Sequence, residues 1–196
     1  NIESRYWDPV FLRNGEREVL EGQFGPDVMN EYVREFLQRD HEQPFLLYYP
    51  MVLTHGNTYL EPVVPTPLNR DPDRPPQEMF ADMVRYADRL IGRVVDELER
   101  TGQRDNTILF VATDNGTEHR RSARCRGRVI QGGLYTLTEA GSDVALLVNS
   151  PQLVPGGRTM ELADFSDLLP TFCELGGATL PDDLVVDGQS FADVVI

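Results

Sequence analysis

The apolar run Thr107-Ile108-Leu109-Phe110-Val111-Ala112, closing on Thr113-Asp114-Asn115-Gly116, constrains this chain more than any other segment. β-Branched and apolar residues follow one another without the alternation of a half-exposed strand, so the run predicts a strand buried on both faces. An acid and an amide then stand side by side where the strand stops, with a glycine behind them to let the chain turn. Open α/β sheets place their sites at the carboxyl ends of strands. Two oxygen-donor side chains at such a point suit a hard cation, Ca²⁺ or Mg²⁺. Asp-Asn-Gly is equally a good turn sequence, and the segment alone leaves both readings open.

The rest of the pattern sets the class. Tyr6 to Gly15 reads as loop and turn with aromatic anchors. Pro26 opens a helix with Met29, Tyr32, Val33, Phe36 and Leu37 at helical spacing. Phe45 to Tyr49 is a short apolar strand leading to His55. Residues 56–76 are rich in proline and polar residues and read as a long surface loop. A long helix follows, with the stripe Phe80, Met83, Val84, Ala87, Leu90, Ile91, Val94, Val95 and Leu98, and Gly102 as its stop. Asp88 falls inside that stripe, where a buried carboxylate needs a hydrogen-bonding partner. Val144 to Val148 is a second buried strand, and Asp164 can cap a last helix with Phe165, Leu168, Leu169, Phe172 and Cys173 on its apolar face. Strands and helices alternate, which predicts an α/β fold with a mostly parallel sheet flanked by helices.

Composition narrows the partners. The chain has 196 residues, enough for one sizeable domain with a single core, and its net charge of -14 argues against nucleic-acid binding through a general basic surface. No apolar stretch reaches the length of a membrane span, and no signal sequence is visible. The first residue is Asn, so the sequence reads as a processed, truncated or partial product. All 18 basic residues are arginine; no chemistry here can rest on a lysine. Cys125 and Cys173 are too few for a disulfide scaffold. Cys173 reads as a small core residue, and Cys125 as a loop cysteine among arginines.

Asp105 to Gly116 resembles the metal-site segment of the sulfatase family, within the alkaline-phosphatase-like superfamily. Further matches follow in the family's order. Pro44 to Pro50 leading to His55 resembles the strand that ends in an active-site histidine. Asp88-Arg89-Leu90-Ile91-Gly92, then Leu98 to Gly102, resembles the long helix before the metal strand. Gly132-Gly133 with Thr138-Glu139-Ala140-Gly141 resembles the glycine-rich segment that normally carries a lysine. Asp167-Leu168-Leu169-Pro170-Thr171 and Asp187-Gly188-Gln189-Ser190-Phe191 resemble two late landmarks of the core. The resemblance spans nearly the whole chain and implies the later part of an alkaline-phosphatase-like core, with the nucleophile segment and the smaller C-terminal subdomain outside residues 1–196.

The resemblance also implies the site. Asp114 and Asn115 match two of four ligands for Ca²⁺ or Mg²⁺; the other two are consecutive aspartates upstream of this sequence. His55 matches the substrate-binding histidine, with Gly56 in place of the frequent proline. The family nucleophile is a formylglycine made from a cysteine with proline or alanine two residues on and arginine four on. Cys125 is followed by Gly127 and Val129 at those places, and Cys173 fails too, so no catalytic nucleophile is assigned. Leu134 stands where the family has its sulfate-binding lysine, and Val144-Ala145-Leu146 lacks the usual proline. Arg120, Arg121, Arg124, Arg126 and Arg128 crowd the intervening loop, where an arginine can bind sulfate bidentately. A solvated surface loop is the plain alternative. Arg124 and His119 are taken as candidate substrate contacts.

These readings imply part of a hydrolase of sulfate esters on a carbohydrate or small aryl compound, inactive as an isolated chain and located in the periplasm or outside the cell. A degenerate, non-catalytic protein that binds sulfated glycans is the second reading, favoured by Leu134. A phosphoesterase relative is the third, but three histidines leave little room for a two-metal site.

Overall fold

The computed structural model describes residues 6–55, 64–65 and 75–196, and it divides into two compact units, 1–102 and 103–196. Most of the proline-rich segment expected as a surface loop lies outside the described residues.

The first unit is built on two helices. α1 (Gly25–Leu37) starts at Pro26 as expected, with Asp27 in its first turn. α2 (Pro76–Arg100) also begins on proline, and Gly102 follows it in the left-handed region (φ +72). Their seam holds two apolar clusters. Phe24, Val64, Met83, Tyr86 and Leu90 form one; Val33, Leu37, Val94 and Leu98 form the other. The buried edge of α2 therefore runs through Met79, Met83, Tyr86, Leu90, Val94 and Leu98, rotated from the expected stripe, and Val84 is 46% exposed. Tyr86 replaces Phe80 and Val84 on the inner face because its hydroxyl can donate to the Asp27 carboxylate (2.8 and 2.9 Å) while its ring packs edge-on against Phe24. Asp88 lies on the exposed side, so the buried carboxylate expected there is corrected to a solvated one.

The carboxylate that is buried belongs to Glu97, at 2% exposure. It accepts from Arg100 Nε (2.8 Å) and from Arg34 Nε on α1 (3.1 Å). The Arg100 guanidinium, with help from Arg34 against the cost of burial, holds the Glu97 carboxyl below its usual range. A depressed carboxyl pKa stabilises the fold above the unfolded-state value, about 4.3 for glutamate, and that stability is lost as pH falls through the folded value. Glu97→Gln should therefore cost roughly 2 kcal/mol at pH 7. In urea titrations the gap between wild type and variant should close as pH is taken below about 4; a gap unchanged at acid pH would contradict this account of the α1–α2 seam.

Before the helices stands a hairpin, β1 (Val10–Arg13) with β2 (Glu16–Val19), where sequence reading expected only loop and turn. Its two-residue turn, Asn14-Gly15, has φ of +52 and +88, the pattern of an Asn-Gly hairpin turn. The expected anchors hold: Tyr6 and Trp7 both pack on Phe24. Phe45–Tyr49, expected as a strand, joins no ladder among the described residues. Leu47 and Tyr49 pack on the second cluster, and Met51 and Leu53 on the first.

In the second unit β3 (Leu109–Ala112) pairs antiparallel with β6 (Leu146–Asn149). Phe110 on β3 meets Phe172 of α4 (Leu168–Gly176) at 5.0 Å and Phe191 at 6.5 Å, ahead of α5 (Ala192–Val195). Asp164 caps the turn before α4 as expected: it accepts from the Ser166 amide (2.7 Å), and the Asp167 carboxylate accepts back from the Asp164 amide (2.9 Å). The other oxygen of Asp167 takes the Gln189 amide (2.7 Å), which ties the two late landmarks together. Between β3 and β6 lie a second hairpin, β4 (Ser122–Cys125) with β5 (Arg128–Gln131), and the single turn α3 (Glu139–Ser142).

The α/β class stands, but every ladder among the described residues is antiparallel, which corrects the expected mostly parallel pairing. Two of the three ladders are tight hairpins, which can only be antiparallel. Leu147, expected in a buried strand, is 62% exposed.

Candidate functional site

Asp114 and Asn115 follow β3 directly, in a turn fixed from three sides by backbone. The Thr113 amide donates to the Ala145 carbonyl (3.2 Å), and the Ala145 amide returns a bond to Thr113 Oγ1 (3.2 Å). The Gly116 amide donates to the Gly141 carbonyl (3.0 Å), and the Leu134 amide to the Thr117 carbonyl (3.0 Å). Motif and glycine-rich segment, separate in sequence, are thus laid side by side. The glycines allow it. A Cβ on Gly116 would stand 2.1 Å from the Ala140 oxygen, one on Gly132 2.1 Å from the Glu118 oxygen, and one on Gly141 2.2 Å from the Thr136 oxygen. Here the missing side chain serves close backbone approach rather than a left-handed φ.

The Asp114 and Asn115 side chains are exposed and have no hydrogen-bond or ion-pair partner among the described residues. Two unspent hard oxygen donors fit a Ca²⁺ or Mg²⁺ ion, but Ca²⁺ takes six to eight oxygens. Among the described residues no group of three or more His, Cys, Asp and Glu side chains could hold a metal. The pair alone is fewer donors than such an ion takes.

Leu134 lies at the centre of this contact, since its backbone is bonded to the residue after Gly116. The position where the resemblance leads one to expect a lysine is beside the Asp114–Asn115 motif, and an apolar side chain occupies it. Tyr135 follows with φ +69 and is 94% exposed. A bulky residue in the left-handed region costs on the order of 1–3 kcal/mol, and no sequence signal marks it. The next residue holds the loop shut: Thr136 Oγ1 donates to the Gly133 carbonyl at 2.6 Å.

His119 and Arg124 belong to the excursion between Gly116 and Gly132. His119 is exposed; its carbonyl accepts from the Gln131 side-chain amide, which also donates to the Arg121 carbonyl (2.9 Å). Arg124 is exposed on β4. Glu118 faces Arg120 and Arg121, each at 3.6 Å. His55 belongs to the first unit. Its backbone is fixed, because the His55 amide donates to the Val52 carbonyl (2.9 Å) and the His55 carbonyl accepts from Tyr6 Oη (2.5 Å), while the residue is exposed. Cys125 and Cys173 are both free thiols. The structure thus brings together Asp114, Asn115, Leu134 and the base of the arginine hairpin in one unit, with His55 on the other.

The family profile described as Sulfatase matches residues 2–178. The chain belongs to the sulfatase family. It is 28% identical over 169 residues to an arylsulfatase of Hemicentrotus pulcherrimus, covering 82% of this chain and 28% of that protein. Among solved structures it is similar to Ps i-CgsB in complex with k-i-k-neocarrahexaose (TM-score 0.63, 25% identity, 89% of this chain and 39% of that one). It is also similar in fold to BT4656 in complex with its substrate D-glucosamine-2-N,6-O-disulfate (TM-score 0.65, 19% identity, 97% of this chain and 55% of that one). The chain therefore carries part of an alkaline-phosphatase-like α/β core, and it spans under a third of the length of the arylsulfatase it matches. No helix among the described residues is long and apolar enough to cross a membrane.

Proposed function

We propose that this chain is the later part of the catalytic core of a sulfate-ester hydrolase, acting on a sulfated carbohydrate or small aryl sulfate. The observation that carries the reading is the backbone clamp between Thr113–Thr117 and Gly132–Gly141, which presents Asp114 and Asn115 with their oxygens unspent. These two side chains would supply half the ligands of a Ca²⁺ or Mg²⁺ ion, the other half coming from residues outside this sequence. Such an ion stabilises negative charge on sulfate oxygens. Asp114 would contribute a full negative charge to hold it, and Asn115 a neutral oxygen that adds no further negative charge beside the sulfate. His55 is the substrate histidine, able to donate a hydrogen bond to the leaving oxygen. His119 and Arg124 are further substrate contacts. The nucleophile is supplied from outside the chain, and the setting is periplasmic or extracellular.

The purified chain should therefore show no turnover of p-nitrophenyl sulfate with Ca²⁺ present; hydrolysis by this chain alone would overturn the assignment of an incomplete site. The second reading, a non-catalytic protein that binds sulfated glycans, is favoured by Leu134, which removes one positive charge beside the motif. Leu134→Lys in the parent protein should raise apparent affinity for a sulfate ester about tenfold, the size of one added charge-assisted hydrogen bond. No change in KM or inhibition by sulfate would show that position 134 does not face the ester.

A further inference from the structure

Ten consecutive residues, 122–131, are exposed and stand out as the β4–β5 hairpin. Five of the chain's 18 arginines fall within residues 120–128, in a chain whose net charge is -14. Arg120 and Arg121 are answered by Glu118 at the base. Arg124, Arg126 and Arg128 have no ion-pair partner among the described residues. The pairing sets their directions. Arg124 lies opposite Val129 and Arg128 opposite Cys125; adjacent positions on a strand point to opposite faces. One cation therefore faces each side, and Arg126 caps the end.

Arg126 is the telling residue. It takes the first place of the two-residue turn with φ +48, beside Gly127 at φ +80. Asn, Asp and Gly fill that place in ordinary hairpins, and the other hairpin of this chain uses Asn14-Gly15. A cation kept at the tip against this preference points to a use for its charge. The base is fixed by Gln131, whose amide bonds the His119 and Arg121 carbonyls, so the arm is presented in a set direction.

We propose that the β4–β5 hairpin is a docking arm for a linear sulfated polysaccharide, gripping anionic groups other than the one at the Asp114–Asn115 motif. Four strand residues at about 3.3 Å each carry the tip roughly 13 Å from the base, beyond the reach of a sulfate held at the base. The arm then adds affinity for a polymer that a monosaccharide or aryl sulfate, reaching only the Asp114–Asn115 motif, does not gain, an inference that rests on the sulfate-ester reading above. Guanidinium forks match sulfate oxygens bidentately. Nucleic acid fits worse: residues 122–131 include no aromatic ring for bases to stack on.

The test is binding by the full 196-residue chain to a heparin octasaccharide at low salt, in EDTA so that no cation bridges the two. Arg126→Gly keeps the turn, since glycine accepts its φ, and should weaken binding two- to threefold. The triple variant Arg124→Gln, Arg126→Gly, Arg128→Gln should weaken it at least tenfold and flatten the salt dependence, with an unchanged circular dichroism spectrum. Triple-variant affinity within twofold of wild type would overturn the proposal, as would equal affinity for single-stranded DNA of matched charge. Because the readout is binding without metal, a parent protein that fails to hydrolyse sulfate esters would overturn the functional reading and leave this measurement standing.

Discussion

Gly116→Ala is expected to cost the second unit about 3 kcal/mol or more and to open the clamp around the Asp114–Asn115 motif. The added methyl would stand 2.1 Å from the Ala140 oxygen and 2.7 Å from Gly141 Cα, both backbone. Side-chain rotation cannot relieve such a contact, so the two segments must separate. Overpacking of this kind costs roughly 1–3 kcal/mol, and the lost Gly116–Gly141 hydrogen bond adds about 1 more. Against a typical total of 5–15 kcal/mol the loss is large. Hydrogen exchange reads it directly: the Gly116 and Leu134 amides, bonded across the clamp, should lose protection together. Protection of both at wild-type level would mean the clamp is not what joins these segments.

Asp114→Ala in the parent protein is expected to lower kcat/KM for a sulfate ester by about 10³-fold or more. On the proposed reading the substitution removes one of the two oxygen donors that Asp114 and Asn115 would offer a cation, and the only one of the pair that carries charge. A cation contributing several kcal/mol to the transition state would then be lost or displaced, and about 4 kcal/mol corresponds to three orders of magnitude. Asn115→Ala should do less, because it removes a neutral donor. Added Ca²⁺ should recover part of the Asn115→Ala loss and little of the Asp114→Ala loss. Steady-state kinetics across a Ca²⁺ titration distinguishes the two; equal, metal-independent losses would assign both residues to the turn alone.

Some of this was legible in the sequence because local chemistry carried it. Pro26, Gly102 and the Asp164 cap marked helix ends through backbone constraints that need no tertiary context. The Asp114–Asn115 motif stands out because an apolar run ends abruptly on an acid and an amide. The clamp was legible only as a row of glycines: what they approach is set by contacts of Gly116 with Gly141 and of Leu134 with Thr117, which spacing cannot supply. The rotation of α2 escaped for a similar reason. Tyr86 and Glu97 read as surface residues until Asp27 and Arg34 on the other helix provide their partners. Of the two hairpins, only the first carries a local signal, Asn14-Gly15. The second hid behind Arg126, a residue type that seldom takes a left-handed turn position. Asp88 was misplaced because the apolar pattern on α2 is wider than the face that α1 covers.

The most direct test of the central claim is the rate of p-nitrophenyl sulfate hydrolysis by three purified proteins with Ca²⁺ present: the parent, its Asp114→Ala variant, and the 196-residue chain. The account predicts turnover by the parent, a loss of about 10³-fold or more in the variant, and none from the chain. Wild-type rates from the Asp114→Ala parent, or any turnover by the chain alone, would contradict it.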